Sequence, residues 1–229
     1  MKVTNSILDA LSLPAFVVDI EHKVVAWNTP CELLTGVAAG DVIGTQDHWK
    51  AFYDAPRPCL ADLVLDSLLA DASRFYSRHE KSEFASDGHK AEGWFDQLNG
   101  KRRYLTFEAK PLFDDDKVIG AMEILQDITR HEEAEEQLKL SASVFENTSE
   151  GIVITGSDNR IISANKALEG LTGYRTDEML NKNPRLFSSC RHPEGFFSKM
   201  WDTLHSIGHW QGEIWNKKKT GEDYLVRAY

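Results

Sequence analysis

The hydrophobic positions of this chain fall into short runs broken by polar turns, and the same order of runs occurs twice. PAFVVDIEHKVVAWN, residues 14–28, holds Phe16, Val17 and Val18, a polar turn over 19–23, then Val24 and Val25. EGIVITGSDNRIISAN, residues 150–165, answers with Ile152, Val153 and Ile154, a turn over 157–160, then Ile161 and Ile162. Each stretch predicts two short strands around turn-forming residues. Beyond them Asn28 recurs as Asn165, and Leu34-Thr35-Gly36 as Leu171-Thr172-Gly173, at one offset of 137 residues (165 − 28 and 173 − 36). Self-similarity of this kind sets the architecture, two copies of one unit.

After the shared Asn the pattern turns helical. Ala167, Leu168 and Leu171 are spaced to face a core, and Gly173 stops the helix. A second short helix is predicted at Asp41–Gly44 in the first copy and Thr176–Asn183 in the second, where Thr176 is placed to cap Met179 and Leu180. Later the period returns to two. Gly93–Thr129 reads as consecutive hairpins, with Asn99-Gly100 the turn signal. Leu105, Phe107 and Ala109 alternate there with Tyr104, Thr106, Glu108 and Lys110, one face for the core and one for water. WQGEIWNKKKTGEDYLVRAY opens the same hairpin in the second copy and reaches Tyr229 about one strand earlier. The expectation is that the second copy lacks its last strand and that the natural chain continues past Tyr229.

Two segments stand outside the repeat. In the middle of the first copy, Leu60, Leu63, Val64 and Leu68 fall at i, i+3, i+4 and i+8, predicting an amphipathic helix that Pro58 can open. Trp49, Phe52 and Tyr53 precede it. They either plug the unit's interior or wall a ligand pocket with Arg57 as its anion anchor. HEKSEFASDGHK, residues 79–90, reads as a loop or an irregular strand edge. Between the copies, RHEEAEEQLKLSASVFENT has no Pro or Gly and predicts a continuous helix. Ala134, Leu138, Ser141 and Phe145 step by 4, 3 and 4, as a coiled-coil seam does, and Glu135 precedes Lys139 at i, i+4. The alternative is a solvated linker helix.

Composition narrows the class. A net charge of −10 argues against nucleic acid and against an anionic membrane surface. No apolar run approaches the roughly 18 residues that span a bilayer. Cys31, Cys59 and Cys190 are odd in number and widely spaced, with neither a disulfide framework nor zinc-type CxxC spacing, so a cytoplasmic home is expected. His48, Cys59, His79 and His89 supply further metal-ligand types in no recognisable pattern, and no metal site is read from them. P-loop, GxSxG, HExxH and dinucleotide-binding signatures are all missing, and Cys190-Arg191-His192 has no partner that spacing identifies, so no enzyme is read either.

Strand, strand, helices and three strands, with Asn and Thr-Gly after the second strand, resemble the PAS fold. The second copy resembles the sensory-box PAS domains found beside diguanylate cyclase, phosphodiesterase and histidine-kinase modules. Asn165, Thr172-Gly173-Tyr174, Asn181–Pro184, Trp210–Glu213 and Lys219-Thr220-Gly221 follow in family order. The departure is Asn181, where family members often have Gly. The first copy matches at its ends, including the closing Asp127-Ile128-Thr129, and departs in its middle. The resemblance implies an α+β chain of two tandem PAS folds, each a five-stranded antiparallel sheet with helices on one face. Residues 6–129 form domain A, 130–147 a helical linker, and 148–229 an incomplete domain B.

For cofactors the resemblance offers three options. A LOV-type flavin adduct needs a cysteine where Pro184 stands, which excludes the adduct there. Haem needs an axial ligand such as His205, late in its helix. A non-covalent FAD would take Asn183, Trp201 and Trp210 as contacts, against the simpler reading of both tryptophans as packing residues. The expected function is the sensory input region of a bacterial signalling protein. It would detect a small molecule, redox state or partner and relay it through the linker helix to a downstream output domain. A homodimer through PAS surfaces and linker helix is expected, and the alternative is a ligand-free dimerisation scaffold.

Overall fold

The computed structural model describes residues 8–82 and 87–229. The chain divides into two compact units, Met1–Glu135 and Glu136–Tyr229.

Unit 1 is built on one antiparallel sheet. Its strands are β1 (Ala15–Asp19), β2 (Val24–Trp27), β3 (Arg78–Lys81), β4 (His89–Leu98), β5 (Lys101–Asp114) and β6 (Lys117–Asp127), in the order β2-β1-β6-β5-β4-β3. That is six strands where the sequence predicts five. The extra one, β3, reads RHEK with no apolar alternation. It pairs with β4 from Arg78↔Glu92 to Lys81↔His89. Charged residues suit a sheet edge because they discourage pairing with other chains, and that same charge makes the segment read as loop. Residues 83–86 of the predicted loop lie outside the described residues.

Unit 1 also holds helices α1 (Thr29–Thr35), α2 (Ala39–Val42) and α3 (Leu60–Leu65), with 3-10 turns at Asp47–Ala51 and Leu69–Arg74. The main core lies on one face of the sheet, where Phe16, Val18, Leu105, Phe107, Ala109 and Leu125 meet Leu60, Leu63 and Val64. The opposite face buries Leu8, Ala15, Val17 and Ala26 against Met122 and Ile124. The alternation read in β5 holds in part: Leu105, Phe107 and Ala109 are buried, but so is Tyr104 of the face read as solvated, because its ring packs on Trp94 at 5.0 Å and its hydroxyl accepts from Arg78 at 3.0 Å. The predicted amphipathic helix is shorter than its spacing implies, and Leu68 is exposed rather than packed. Ser67 turns left-handed at φ 55°. The Leu68 N–H then returns to the Leu63 carbonyl at 3.0 Å, a closure that ends helices.

Helix α4 (Thr129–Asn147) is continuous, as predicted. Unit 2 then holds β7 (Val153–Thr155), β8 (Ile161–Ala164), α5 (Lys166–Thr172), α6 (Thr176–Met179), a 3-10 turn at Pro184–Phe187, α7 (Phe196–Ile207), β9 (Gly212–Lys217) and β10 (Asp223–Ala228). Its strands form two separate pairs, β7–β8 and β9–β10, instead of the single sheet predicted. In unit 1 the corresponding pairs are bridged by β6, hydrogen-bonded to β1 on one side and β5 on the other. Unit 2 has no counterpart of β6 among the described residues. Its buried core is correspondingly small: Ile161, Ala164, Leu168, Met179 and Phe187.

The repeat is exact at the level of hydrogen bonds. Asn28 Oδ1 accepts from the N–H groups of Ala15 (2.9 Å) and Cys31 (3.0 Å), and Nδ2 donates to the carbonyls of Leu8 (3.0 Å) and Leu13 (2.9 Å). Asn165 does the same with Ile152 (2.8 Å), Leu168 (3.1 Å), Phe145 (3.0 Å) and Glu150 (2.9 Å). Thr35 and Thr172 donate back to Cys31 and Leu168, and Gly36 and Gly173 close their helices at φ 77°. Glu32 and Glu169, one offset apart, each accept from the backbone N–H at the next helix, Ala39 and Thr176. Asn181 occupies the counterpart of Gly44, at φ 61° against 80°. Of residues with a side chain, Asn tolerates that conformation best, so the departure from Gly keeps the backbone shape.

Asn165→Leu should cost unit 2 about 2–4 kcal/mol, because it strands buried backbone groups. In urea the unit 2 transition should move to lower concentration while that of unit 1 stays in place. Asn181→Gly should be near neutral and Asn181→Ala should cost about 1 kcal/mol, both read from the same transition.

Candidate functional site

The interior of unit 1 is where polar chemistry gathers. On β6 the side chains facing the main core are Ala121, Glu123 and Leu125, so a carboxyl sits in an apolar row. Glu123 Oε2 accepts the Ala61 N–H at 2.8 Å, at the first turn of α3. Burial pushes its pKa up to about 8, only partly offset by that hydrogen bond and one from Leu60, and the nearby Asp62 adds to the rise. The carboxyl therefore ties the central strand to the start of the helix that covers it.

In the same first turn of α3, Asp62 collects a second set of contacts. Its Oδ2 accepts from the Cys59 N–H (2.8 Å) and pairs with His48 Nε2 (2.9 Å), and its Oδ1 pairs with His22 Nδ1 (2.7 Å). The other nitrogen of His22 reaches Asp66 at 3.1 Å. Burial pushes Asp62 upward, but the hydrogen bonds from His48, His22 and Cys59 hold it below the usual carboxylate range. Burial pulls His22 down, and Asp62 and Asp66 more than restore it, leaving it raised. The Cys59 thiol is driven well up by burial, with Glu123 and Asp62 acting the same way.

The residues singled out in the sequence are distributed as follows. Trp49 packs on the core, with Lys50 over its ring at 5.6 Å. Tyr53 and Arg57 meet: the guanidinium lies 4.0 Å from the Tyr53 ring centre and 4.9 Å from that of Tyr76, and donates to the Phe75 carbonyl at 3.1 Å. Phe52, Tyr53, Phe95 and Phe107 continue the ring cluster across the interior. Arg57 is thus engaged with aromatic faces and a backbone carbonyl, and the rings around it pack on one another.

In unit 2 the three proposed contacts are not joined to one another by any hydrogen bond or ring contact among the described residues. Asn183 caps the 3-10 turn, accepting from the Arg185 N–H (3.0 Å) and donating to the Asn159 carbonyl (3.2 Å). Trp201 lies on α7, 6.0 Å from the exposed His205. Trp210 lies over Gly212 so closely that a Cβ there would stand 2.4 Å from its ring. The Phe196 ring lies 6.1 Å from that of Trp210. Of the four metal-ligand types noted in the sequence, His79 and His89 stack on each other (ring centres 5.2 Å apart), whereas His48 and Cys59 converge with Asp62. Asp62 and Glu123 were missed. Asp62 at the third position of a helix start was a readable signal, but an acid on a core strand was not.

The exit from unit 1 is Asp127-Ile128-Thr129. Asp127 Oδ1 accepts from the Thr129 N–H at 3.0 Å, its carboxylate pairs with Arg103, and Thr129 Oγ1 accepts from the Tyr104 N–H at 2.9 Å. Glu132 in the next turn is buried and faces Arg78 at 3.7 Å. The turn locks β6, β5 and the start of α4 together. Further along, Leu138, Leu140 and Val144 are exposed. Among the described residues no helix is long and apolar enough to cross a membrane.

This architecture defines a chain of two PAS domains in tandem. Residues 8–133, more than half of the chain, match the family model of the PAS fold, and residues 149–229 match that of the PAS domain, so the chain belongs to the PAS family. Among curated proteins it resembles the nitrogen fixation regulatory proteins of Klebsiella oxytoca (37% identical over 84 residues) and Klebsiella pneumoniae (36%). The aligned part is 37% of this chain and 17% of each relative, so the chain spans under a fifth of their length. Among solved structures, the PAS domain of Bordetella pertussis BvgS is 17% identical with a TM-score of 0.38, over 62% of this chain and 97% of that one. The phage VqmA–DPO complex is 16% identical with a TM-score of 0.38, over 91% and 81%. Scores this low add nothing beyond the family match.

Glu123 sets a pH dependence. Below about pH 4.5 the folded and unfolded chains both carry its proton. Between about 4.5 and 8 the unfolded chain ionises while the folded one keeps the proton, so stability falls as pH rises; above 8 the loss is constant. Within that window the slope should be about 1.4 kcal/mol per pH unit from this group alone. Glu123→Gln keeps an acceptor for Ala61 and should remove the slope, measured by urea unfolding of both proteins from pH 5 to 9.

Proposed function

We propose that this chain is a non-catalytic sensory input region of a bacterial signalling protein. A change inside unit 1 biases the arrangement of α4, and the output lies in a downstream domain of the diguanylate cyclase/phosphodiesterase or histidine-kinase kind. The observation that carries this reading is the continuity from interior to helix. Glu123 joins β6 to α3, and Asp127 and Thr129, four and six residues on, join the same strand to α4. A rigid helix conveys a shift that a flexible linker would absorb. The shift is limited to the difference in affinity between the two arrangements.

Within this reading α4 pairs with a second copy. Ala134, Leu138 and Ser141 of its seam are exposed and Phe145 is half-buried, as an uncovered coiled-coil stripe would be. The regulatory role named for the Klebsiella relatives agrees with an input role. A second reading, a ligand-free dimerisation scaffold, is favoured by the ring cluster that fills unit 1.

Two measurements separate them. Native mass spectrometry and absorption spectra of the purified chain, before and after reduction, should reveal a bound species if the chain senses one. An FAD or haem band would name it. A colourless, ligand-free dimer favours the scaffold. Leu138→Glu alters an exposed side chain and should leave the fold intact while yielding a monomer in sedimentation, and a retained dimer would remove α4 from the interface.

A further inference from the structure

We propose that His48, Cys59 and Asp62 form a binding site for a zinc-class divalent ion inside unit 1. One donor atom from each lies within 4.8 Å of the others, and all three residues are buried. Zinc bonds of about 2.0–2.3 Å set tetrahedral ligands roughly 3.3–3.7 Å apart, so donors within 4.8 Å of one another need to close by about 1.5 Å at most. Imidazole, thiolate and carboxylate together select a borderline-soft ion such as zinc over magnesium or calcium, which prefer oxygen throughout. The inference concerns what unit 1 binds and stands apart from whether that binding is signalled.

Three features argue for a built site. His48 Nδ1 is buried without a hydrogen-bond partner among the described residues, so the ring has a nitrogen that the fold does not use. The Asp62 carboxylate is oriented from outside by His22 at 2.7 Å, which is itself held by Asp66 at 3.1 Å. Outer partners of this kind orient a ligand and maintain its affinity. Cys59 is fixed by its place at the start of α3, with its N–H on Asp62 at 2.8 Å. One thiolate and one carboxylate neutralise a dication. The thiol proton leaves to solvent as the metal–sulfur bond forms, the proton shared by His48 and Asp62 moves to the ring nitrogen that does not bind, and nothing is oxidised or reduced. Three protein ligands leave a fourth position for water.

The test is a titration of the full chain, first stripped with chelator, with Co2+ alone. One equivalent should give a thiolate-to-cobalt charge-transfer band together with the intense d–d bands of four-coordinate cobalt, and Zn2+ should displace both. Cys59→Ser should lose the charge-transfer band, and His48→Gln should weaken binding at least about tenfold. Should Cys59→Ser not fold, the double variant C31A/C190S leaves Cys59 as the only thiol of the three, and there the band must persist. A folded wild-type chain that takes up no Co2+, a band that survives in folded Cys59→Ser, or a band lost in folded C31A/C190S overturns the proposal.

Discussion

Everything in each unit is arranged around one buried amide. Asn28 and Asn165 are almost completely enclosed, at 2% and 0% exposure, where an unmade hydrogen bond is costly. Each makes four bonds, which uses the full capacity of an amide that presents two donors and an acceptor oxygen with two lone pairs. Those bonds go to three places at once: the start of the first strand, the start of the first helix, and the segment entering the unit. In unit 2 the entering segment is the last turn of α4, through the Phe145 carbonyl. The repeat noticed in the letters is therefore a repeated junction, and the linker helix is wired into it.

The two units differ in what is built on that junction. In unit 1, β6 stands between β1 and β5 and carries both a buried acid and the exit to the helix. With it, the sheet supports a core on both faces. In unit 2 the two strand pairs stand apart, α7 buries no residue, and the core is reduced to a cluster under α5 and α6. Identical local bonding thus supports very different amounts of burial. Local motifs position a fold, and the central strand accumulates its stability through area removed from water.

What was legible follows the range of the interactions. The repeat, the Asn99-Gly100 turn and the unbroken helix between the units are local and readable from a few neighbouring residues. The strand RHEK was hidden because its charges serve an edge and not a core. Helix α3 was overextended because Leu68 matches the period, while the left-handed Ser67 that ends the helix is not a residue type that announces it. Asn181 looked like a departure in type and is conserved in conformation. The convergence of His48, Cys59 and Asp62 depends on a 3-10 turn and a helix start meeting across an irregular segment, so no spacing rule reaches it. Asn183, a ligand contact on the sequence reading, accepts with one end of its amide from the turn it caps and donates with the other to the Asn159 carbonyl between β7 and β8.

A conformational response needs some group whose interactions differ between two states. In unit 1 the aromatic rings between Phe16 and Phe107 are packed against one another and offer no such difference on their own. The groups that can change state are the carboxyl of Glu123 and the His22–Asp62–His48 chain beside Cys59. Both sets bear on the first turn of α3, and Glu123 connects that turn to β6. Ionising Glu123 would place a charge in an apolar row on the strand that continues into α4, a strand hydrogen-bonded to β1 on one side and β5 on the other. Among the buried groups of unit 1, these polar ones are the set whose charge can change without a change of packing.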